Sequence, residues 1–505
     1  MGIRGIIESY EMMEWYSKLV VFASILSLPF VLTYAITSAP FISAINNTTS
    51  LVEAPPFPYL LSFLGNLFAL ATDAYGILSS ISRAYNGIPV KLKLGPQNVY
   101  TIIGVENIRH IFNKSRELST KALTITVFTH AFGIPLSDVK IYEDDDSGLY
   151  LKPAPGSDVA PNMRLLHKAH HQFGKELTVT SLAELSWQFV WNFASQIKIA
   201  FEEGSSIVYS KAYAIRDKCQ EQIAIWHAFA DKHIDCHDES LGEMLWEPYY
   251  GHRLMRERAK MYKATNAFSD KGRAASDLGM IWGANANVVT SASWSLIYIL
   301  SDENLTARLR EEITPAFPDG IVNSVDMTKL NSCPLLQSVI SEVLRLNIAV
   351  IINRTSMHLV RQARQDNAHM SIFLTPKNIP STSSGPNASS NIPTTPLSGP
   401  TKKTSGPEKL TTAQADITHN DKKAKFTLDS LKGIYFPFGG GTNMCPGQHY
   451  AKNEMVLVAM LLWAFEIEFL DLERAKATGQ SMKAFPAGVL GPDRENPVRM
   501  RVRKL

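Results

Sequence analysis

The 505-residue chain is predicted to be mainly α with small β-sheets, a large body (41–505) held on an N-terminal membrane anchor helix (1–40). Three observations predict this. An uncharged apolar run lies near the start, most of the remaining chain has helical spacing, and alternating strand patterns are few and short. Composition agrees: 45% hydrophobic and 19% charged residues exclude a wholly disordered chain or a collagen-like repeat. Fifty Lys and Arg against 47 Asp and Glu leave a charge of +3, so bulk charge shows no nucleic-acid footprint. The four cysteines, Cys219, Cys236, Cys333 and Cys445, are too few and scattered for a disulfide framework, and no C-x-x-C pair occurs.

The anchor comes first in the chain. No charge occurs between Lys18 and Glu53, and Leu19 to Thr37 reads LVVFASILSLPFVLTYAIT, about the 20 apolar residues that a bilayer core requires. A cleaved signal peptide is the rival reading, but Arg4 is offset by Glu8, Glu11 and Glu14, and the run lacks a convincing small-x-small cleavage site followed by mature polar sequence. Asn46 and Asn47 head N-x-Thr sequons, which matter only if this segment is lumenal. Pro55-Pro56-Phe57-Pro58 then forms a stiff spacer. Val90 to Leu94 and Val99 to Ile103 read as a hairpin across Gly95-Pro96-Gln97-Asn98.

Asp144, Asp145 and Asp146 read as an acidic loop rather than a cation site, and His233-Ile-Asp-Cys236-His237 as a solvated loop rather than a metal cluster. Three helical stretches lie beyond them. Leu278 to Ser301 is uncharged and carries Gly283, Asn285, Asn287, Thr290, Ser291 and Ser293. So many small polar residues argue for a buried helix passing a cavity or cofactor; a second membrane span is the alternative. Pro334 to Leu346 opens on a proline, tolerated in a first turn, and has an apolar stripe edged by Glu342 and Arg345, spaced to pair. Taken alone, that pair reads as a surface ion pair of little energetic weight. Gln448 to Phe469 is apolar nearly all round after Met455, the pattern of an enclosed helix. Between the second and third stretches, 376–425 is low in complexity and rich in proline at its start, and is expected to be a mobile insertion.

The chemistry is expected in the loop Phe436-Pro-Phe-Gly-Gly-Gly-Thr-Asn-Met-Cys445-Pro-Gly-Gln. Consecutive glycines let backbone turn tightly against a flat partner. Cys445 precedes a helix start, where N–H groups favour a thiolate, and Phe438 can shield it. Gly447 spares whatever the sulfur binds from a side chain. Such a thiolate serves as a metal ligand or a nucleophile; a buried structural cysteine is the plainer alternative, and His449 is the only local base. A phosphate loop is excluded by the absence of G-x-x-x-x-G-K-[ST].

The pattern F-x-x-G-x-x-x-C-x-G, carried by Phe438, Gly441, Cys445 and Gly447, resembles the haem-binding loop of cytochrome P-450 enzymes. Glu342-Val-Leu-Arg345 resembles that family's E-x-x-R helix, and the uncharged helix from Leu278 its long central helix. The anchor with its proline hinge is similar to that of microsomal members, so the resemblance spans the chain. It implies the cytochrome P-450 fold and haem b with Cys445 as axial thiolate, a donor that favours O–O cleavage. It further implies that Glu342 and Arg345 brace the core behind the loop. Arg354 and Lys168, the latter within RLLHKAHH, would meet haem propionates. Ala349 to Ile352 and Val489 to Leu490 would line the substrate pocket.

Two departures stand out. The family's central helix commonly carries an acid-threonine pair that delivers protons during oxygen activation. Here that place reads Ala286-Asn287, assigned as the catalytic pair; an asparagine can hydrogen-bond a peroxide or water but is no acid. This is similar to sterol 7α-hydroxylases and prostacyclin synthase, and Asn443 likewise replaces a usual basic residue. The family's P-E-R-F-like segment is also missing, since no arginine occurs between Arg364 and Cys445. Either a lineage-specific loop replaces it, or the gene sequence there is misassembled.

The resemblance thus implies a membrane-anchored haem-thiolate monooxygenase oxidising an apolar small molecule of terpenoid, steroid or alkaloid type, in secondary metabolism. An isomerase acting on a peroxide, or a catalytically impaired haem protein, is the alternative. Since the chain has no flavin or nicotinamide fingerprint, the implied partners are a separate NADPH-cytochrome P-450 reductase and cytochrome b5, with membrane lipid and no nucleic acid. The implied location is the endoplasmic reticulum membrane, single-pass, with the catalytic body cytoplasmic.

Overall fold

A computed structural model describes residues 15–46, 54–84, 89–103, 105–114, 118–178, 212–265, 268–318, 325–350, 352–356, 370–375, 426–428, 431, 435–481 and 487–503. The chain divides into two units, Met1–His110 with Ile351–Ser390, and Ile111–Val350 with Asn391–Leu505.

In the first unit the apolar run forms one helix, Trp15–Asn46, which starts inside the expected anchor 1–40 and runs past its end. Its side chains are mostly exposed, and Trp15–Ala44 is long and apolar enough to cross a membrane. Pro29 sits inside it, and the Thr33 hydroxyl donates to the Pro29 carbonyl at 2.8 Å. The expected hairpin forms between Val90–Leu94 and Gln97–Ile103, but its turn is shorter than the sequence suggested: Leu94 pairs with Gln97, and Gly95 takes φ +60°. Gln97–Ile103 continues as a parallel partner of Met370–Thr375, which pairs antiparallel with Ile352–Ser356. Val90, Leu92 and Val99 bury one face of the hairpin against Ile77 and Ile81 of the helix Ala74–Ala84.

The second unit is organised by the long helix Asp270–Leu300. Ser269 caps its start, the hydroxyl accepting the Gly272 N–H at 3.0 Å. Its C-terminal half buries Val288, Trp294, Ile297 and Ile299 in the main core, with Leu335, Leu336, Val339 and Val343 of the helix Pro334–Asn347. Its middle is less enclosed than expected: Ile281, Trp282 and Val289 are exposed.

The apolar stretch 448–469 departs from the single helix expected. It is a helix, Gln448–Val456, then a second, Val458–Ala464, then a strand, Phe465–Phe469. The strand follows from Phe-Glu-Ile-Glu-Phe, whose alternation buries Phe465 and Ile467 and turns Glu466 and Glu468 outward. It pairs antiparallel with Val498–Val502, where Arg501 reaches Glu466 at 2.5 Å. The insertion 376–425 and Asn47 lie outside the described residues.

Candidate functional site

The cysteine loop owes its shape to glycines used for different reasons. Gly439 (φ +74°) and Gly441 (φ +67°) hold left-handed backbone that other residues rarely adopt. Gly440 is extended, and a Cβ there would lie 2.5 Å from the ring of Phe112, which packs edge-on against Phe436 at 5.3 Å. The Cys445 N–H donates to the Phe438 carbonyl at 2.9 Å, closing the loop. The Phe438 ring packs on the main core beneath the Lys452 ammonium, 5.7 Å from the ring centre. Gly447 then caps the helix Gln448–Val456 with an ordinary φ of −86°. A Cβ on Gly447 would touch the Cys445 sulfur and Leu177 only at 3.8 Å, so nothing in the polypeptide requires a glycine there.

Cys445 is exposed as a residue, yet the loop packed around its sulfur still desolvates the thiol and pushes its pKa up, and the Gly447 N–H directed at the sulfur offsets only part of that. The thiolate expected from the helix start is therefore not favoured by the polypeptide alone. A cation coordinated by the sulfur would supply the missing stabilisation and displace the thiol proton to solvent.

Side chains from distant parts of the chain buttress this loop. The Tyr150 hydroxyl donates to the Thr442 hydroxyl at 3.2 Å, and the His170 ring hydrogen-bonds the Thr442 backbone. Burial pushes the His170 pKa down, helped by His167 and His171 beside it. Arg164, itself buried, donates to Ser147 Oγ at 2.8 Å and to the carbonyls of Leu151 and Tyr150 at 2.9 and 2.5 Å, shaping the segment that carries Tyr150. Lys168, on the same helix Leu165–Glu176, instead points its ammonium to the Asn162 carbonyl at 3.5 Å. Positions 168 and 170 differ by about 200° around a helix, so only one of them can face the loop. RLLHKAHH marked this helix; which residue meets the loop depends on tertiary packing.

Behind the loop Arg345 grips Glu342 with both arms, Nε to Oε2 at 2.7 Å and Nη2 to Oε1 at 2.6 Å. Glu342 is 2% exposed, so this is a half-buried clamp rather than the surface pair its spacing suggested. That hydrogen bonding is the main cause of a raised Arg345 pKa. Tyr435, just before the cysteine loop, donates its hydroxyl to the Ser341 carbonyl at 2.9 Å, and burial pushes its pKa up. Loop and clamp helix are thus tied together. Arg354 lies in the strand Ile352–Ser356, opposite Ile372; its side chain is outside the described residues.

On the long helix Asn287 is committed. Its Oδ1 accepts the Val489 N–H at 2.9 Å, an assignment forced because a backbone N–H can meet only an acceptor. The Ala286 carbonyl accepts the Thr290 hydroxyl at 2.9 Å, and the Asn287 carbonyl accepts that of Ser291 at 2.8 Å. Val489 belongs to Ala487–Val489, antiparallel to Ile348–Val350, so both segments expected to line a pocket form one small sheet.

The other candidates dissolve. His233 Nδ1 lies 2.8 Å from the Phe229 carbonyl, Cys236 is buried, and Asp145 Oδ1 accepts from Ser147 N and Oγ at 3.0 and 2.6 Å. Among the described residues no group of three or more His, Cys, Asp and Glu could hold a metal ion. A lone cysteine donor suits haem, whose porphyrin supplies the equatorial nitrogens, better than a bare ion.

Comparison with known proteins points to a haem-dependent family. The family model for cytochrome P-450 matches residues 206–377, a segment that holds Asn287, Glu342, Arg345 and Arg354 and ends before the cysteine loop. The monooxygenase efuG of Hormonema carpetanum is 27% identical over 95% of this chain and 96% of its own length. The monooxygenase fsoE of Humicola fuscoatra is 27% identical over 90% of this chain and 88% of its own. The 25-hydroxycholesterol 7-alpha-hydroxylase of Rattus norvegicus is 26% identical over 50% of this chain and 59% of its own. The chain belongs to the cytochrome P-450 superfamily. It is a monooxygenase, and its cofactor is haem held by a cysteine thiolate.

Proposed function

We propose that the protein is anchored in the endoplasmic reticulum membrane by Trp15–Asn46 and oxidises an apolar terpenoid, steroid or alkaloid of secondary metabolism on its cytoplasmic side. Haem bound at Cys445 supplies oxygen activation beneath a thiolate donor. Electrons come from a separate NADPH-dependent reductase, with cytochrome b5 as a second donor. Cys445 holds the iron; the Gly447 N–H at the sulfur tempers its electron donation. Phe438, Gly441 and Gly447 shape the cradle. Glu342 and Arg345 brace it, Arg354 serves one propionate, and His170 rather than Lys168 is placed to serve the other.

An apolar substrate is supported by the exposed Ile281 and Val289 on the long helix, and by the sterol substrates in the names of the mammalian relatives. With its oxygen engaged by Val489, Asn287 can offer only its NH2 group, a donor to a substrate or peroxide oxygen but no acid. That feature favours one alternative, an isomerase rearranging a peroxide substrate.

The observation that carries the proposal is the Cys445 thiol, exposed at the end of the glycine loop with the Gly447 N–H directed at its sulfur, and with no rival metal cluster among the described residues. Reduced recombinant protein under CO is expected to show a thiolate-type Soret band, and Cys445→Ala to lose it. A Cys445→Ala variant that keeps both the pigment and the product overturns the reading. Turnover that requires NADPH and reductase selects the monooxygenase; turnover of a peroxide without them selects the isomerase.

A further inference from the structure

The strand Ala487–Val489 is held against the long helix at points two turns apart. Asn287 Oδ1 takes the Val489 N–H at 2.9 Å, and Trp294 Nε1 donates to the Leu490 carbonyl at 2.6 Å. On its other side the Leu490 N–H donates to the Asn347 carbonyl at 2.8 Å. Trp294 is 1% exposed and Asn347 wholly buried, so these two ties belong to the core. Asn287 is exposed and makes the outermost of the three ties, one residue from the two that Leu490 makes in the core.

Gly488 shows how closely the carboxamide is seated. A Cβ there would lie 2.0 Å from Asn287 Oδ1 and 2.8 Å from its Cγ. Gly488 does not have a positive φ, so backbone conformation does not demand a glycine; the Asn287 side chain lying on its Cα does. The pair is a lock: the amide oxygen holds the strand by hydrogen bond, and the missing side chain lets it come that close.

We propose that Asn287 is a positioning and specificity-determining residue, setting the distance of the strand Ala487–Val489 from the long helix and thereby the width of the substrate pocket. This rests on the haem-thiolate reading, in which that strand lines the pocket. Asparagine is suited to the work because it can accept from a backbone N–H without charge, whereas alanine or threonine at this position cannot reach it in the same way.

The test separates the oxygen from the bulk. Asn287→Leu keeps the approximate volume and removes the acceptor; Asn287→Asp keeps an acceptor at the same reach. Hydrogen exchange of the segment 487–490 is followed in the full-length holoprotein in detergent, alongside Soret titrations with imidazole and phenylimidazole as probes of pocket width. The Leu variant is expected to exchange roughly five- to tenfold faster at this segment, while Asp stays near wild type. The ratio of phenylimidazole to imidazole affinity is expected to shift by about threefold or more in Leu and to be restored in Asp.

Gly488→Ala, which wedges the strand outward, is expected to follow Leu in both readouts and serves if the Leu variant does not fold. Unchanged exchange in Leu and in Gly488→Ala, or failure of Asp to rescue, overturns the proposal. The CO spectrum keeps the two claims apart. A wild-type protein without the thiolate-type band sinks the underlying reading and the inference with it. A normal band with indifferent exchange sinks the inference alone.

Discussion

At Gly440 an added Cβ would lie 2.5 Å from the Phe112 ring, whereas at Gly447 it would meet nothing closer than 3.8 Å. The first glycine therefore serves the polypeptide, while the second answers no need of the polypeptide and is proposed to serve what the sulfur binds. Gly440→Ala is expected to destabilise the apoprotein by about 1–3 kcal/mol, because a ring locked against Phe436 must move. Gly447→Ala is expected to leave the apoprotein melting point unchanged and to weaken haem retention, read as the haem-to-protein absorbance ratio after gel filtration. Equal melting points for both variants would contradict this division. The motif identified Gly441 and Gly447 from the chain itself, but the role of Gly440 was invisible, because Phe112 is more than three hundred residues away.

At the scale of elements, the helix Gln448–Val456 carries a buried acid that the motif did not mark as chemically active. Glu454 is 6% exposed, hydrogen-bonded by Tyr450, and its Oε2 is buried without a protein partner. Burial pushes its pKa from an ordinary 4.5 up to about 7. A folded-state value above the unfolded one means the folded protein holds the proton more tightly. That stabilisation is complete below pH 4.5 and is lost as pH rises through about 7. Glu454→Gln is therefore expected to flatten the fall in apoprotein melting temperature between pH 5 and pH 8, measured by calorimetry; an unchanged slope would contradict it.

Elements also mark the limit of pattern reading. The clamp helix Pro334–Asn347 was legible almost to the residue, because its apolar stripe and N-terminal proline agree. The stretch 448–469 was not, since an apolar run shows no period once both faces are buried. Only the glutamates at 466 and 468 betrayed the strand, and their partner Arg501 lies beyond any local window.

At the scale of the whole molecule, the proposed membrane contact is expected to extend past the helix Trp15–Asn46. Within the first unit Phe63 and Phe68 are 76% and 68% exposed, beside Leu60, Leu64 and Leu67. Pro29, Phe30 and Thr33 of the anchor helix line one shallow cleft with Leu60 to Leu64, and the Thr33 and Ser62 hydroxyls are 2.9 Å apart. Removal of residues 1–46 is expected to leave a protein that still sediments with lipid vesicles, and Phe63→Ser with Phe68→Ser to release it. A truncated protein that stays in the supernatant would contradict this.

By itself the sequence determined the long apolar N-terminal helix, the cysteine loop, the Glu342–Arg345 spacing and the order of the main helices. Each is written in neighbouring residues whose own periodicity or conformational needs decide the outcome. Tertiary structure decided that Asn287 holds the Val489 N–H, that His170 rather than Lys168 meets the cysteine loop, and that Glu342 is buried. Those facts depend on which segments meet across hundreds of residues, and burial then sets hydrogen-bond partners and proton affinities that no local pattern carries.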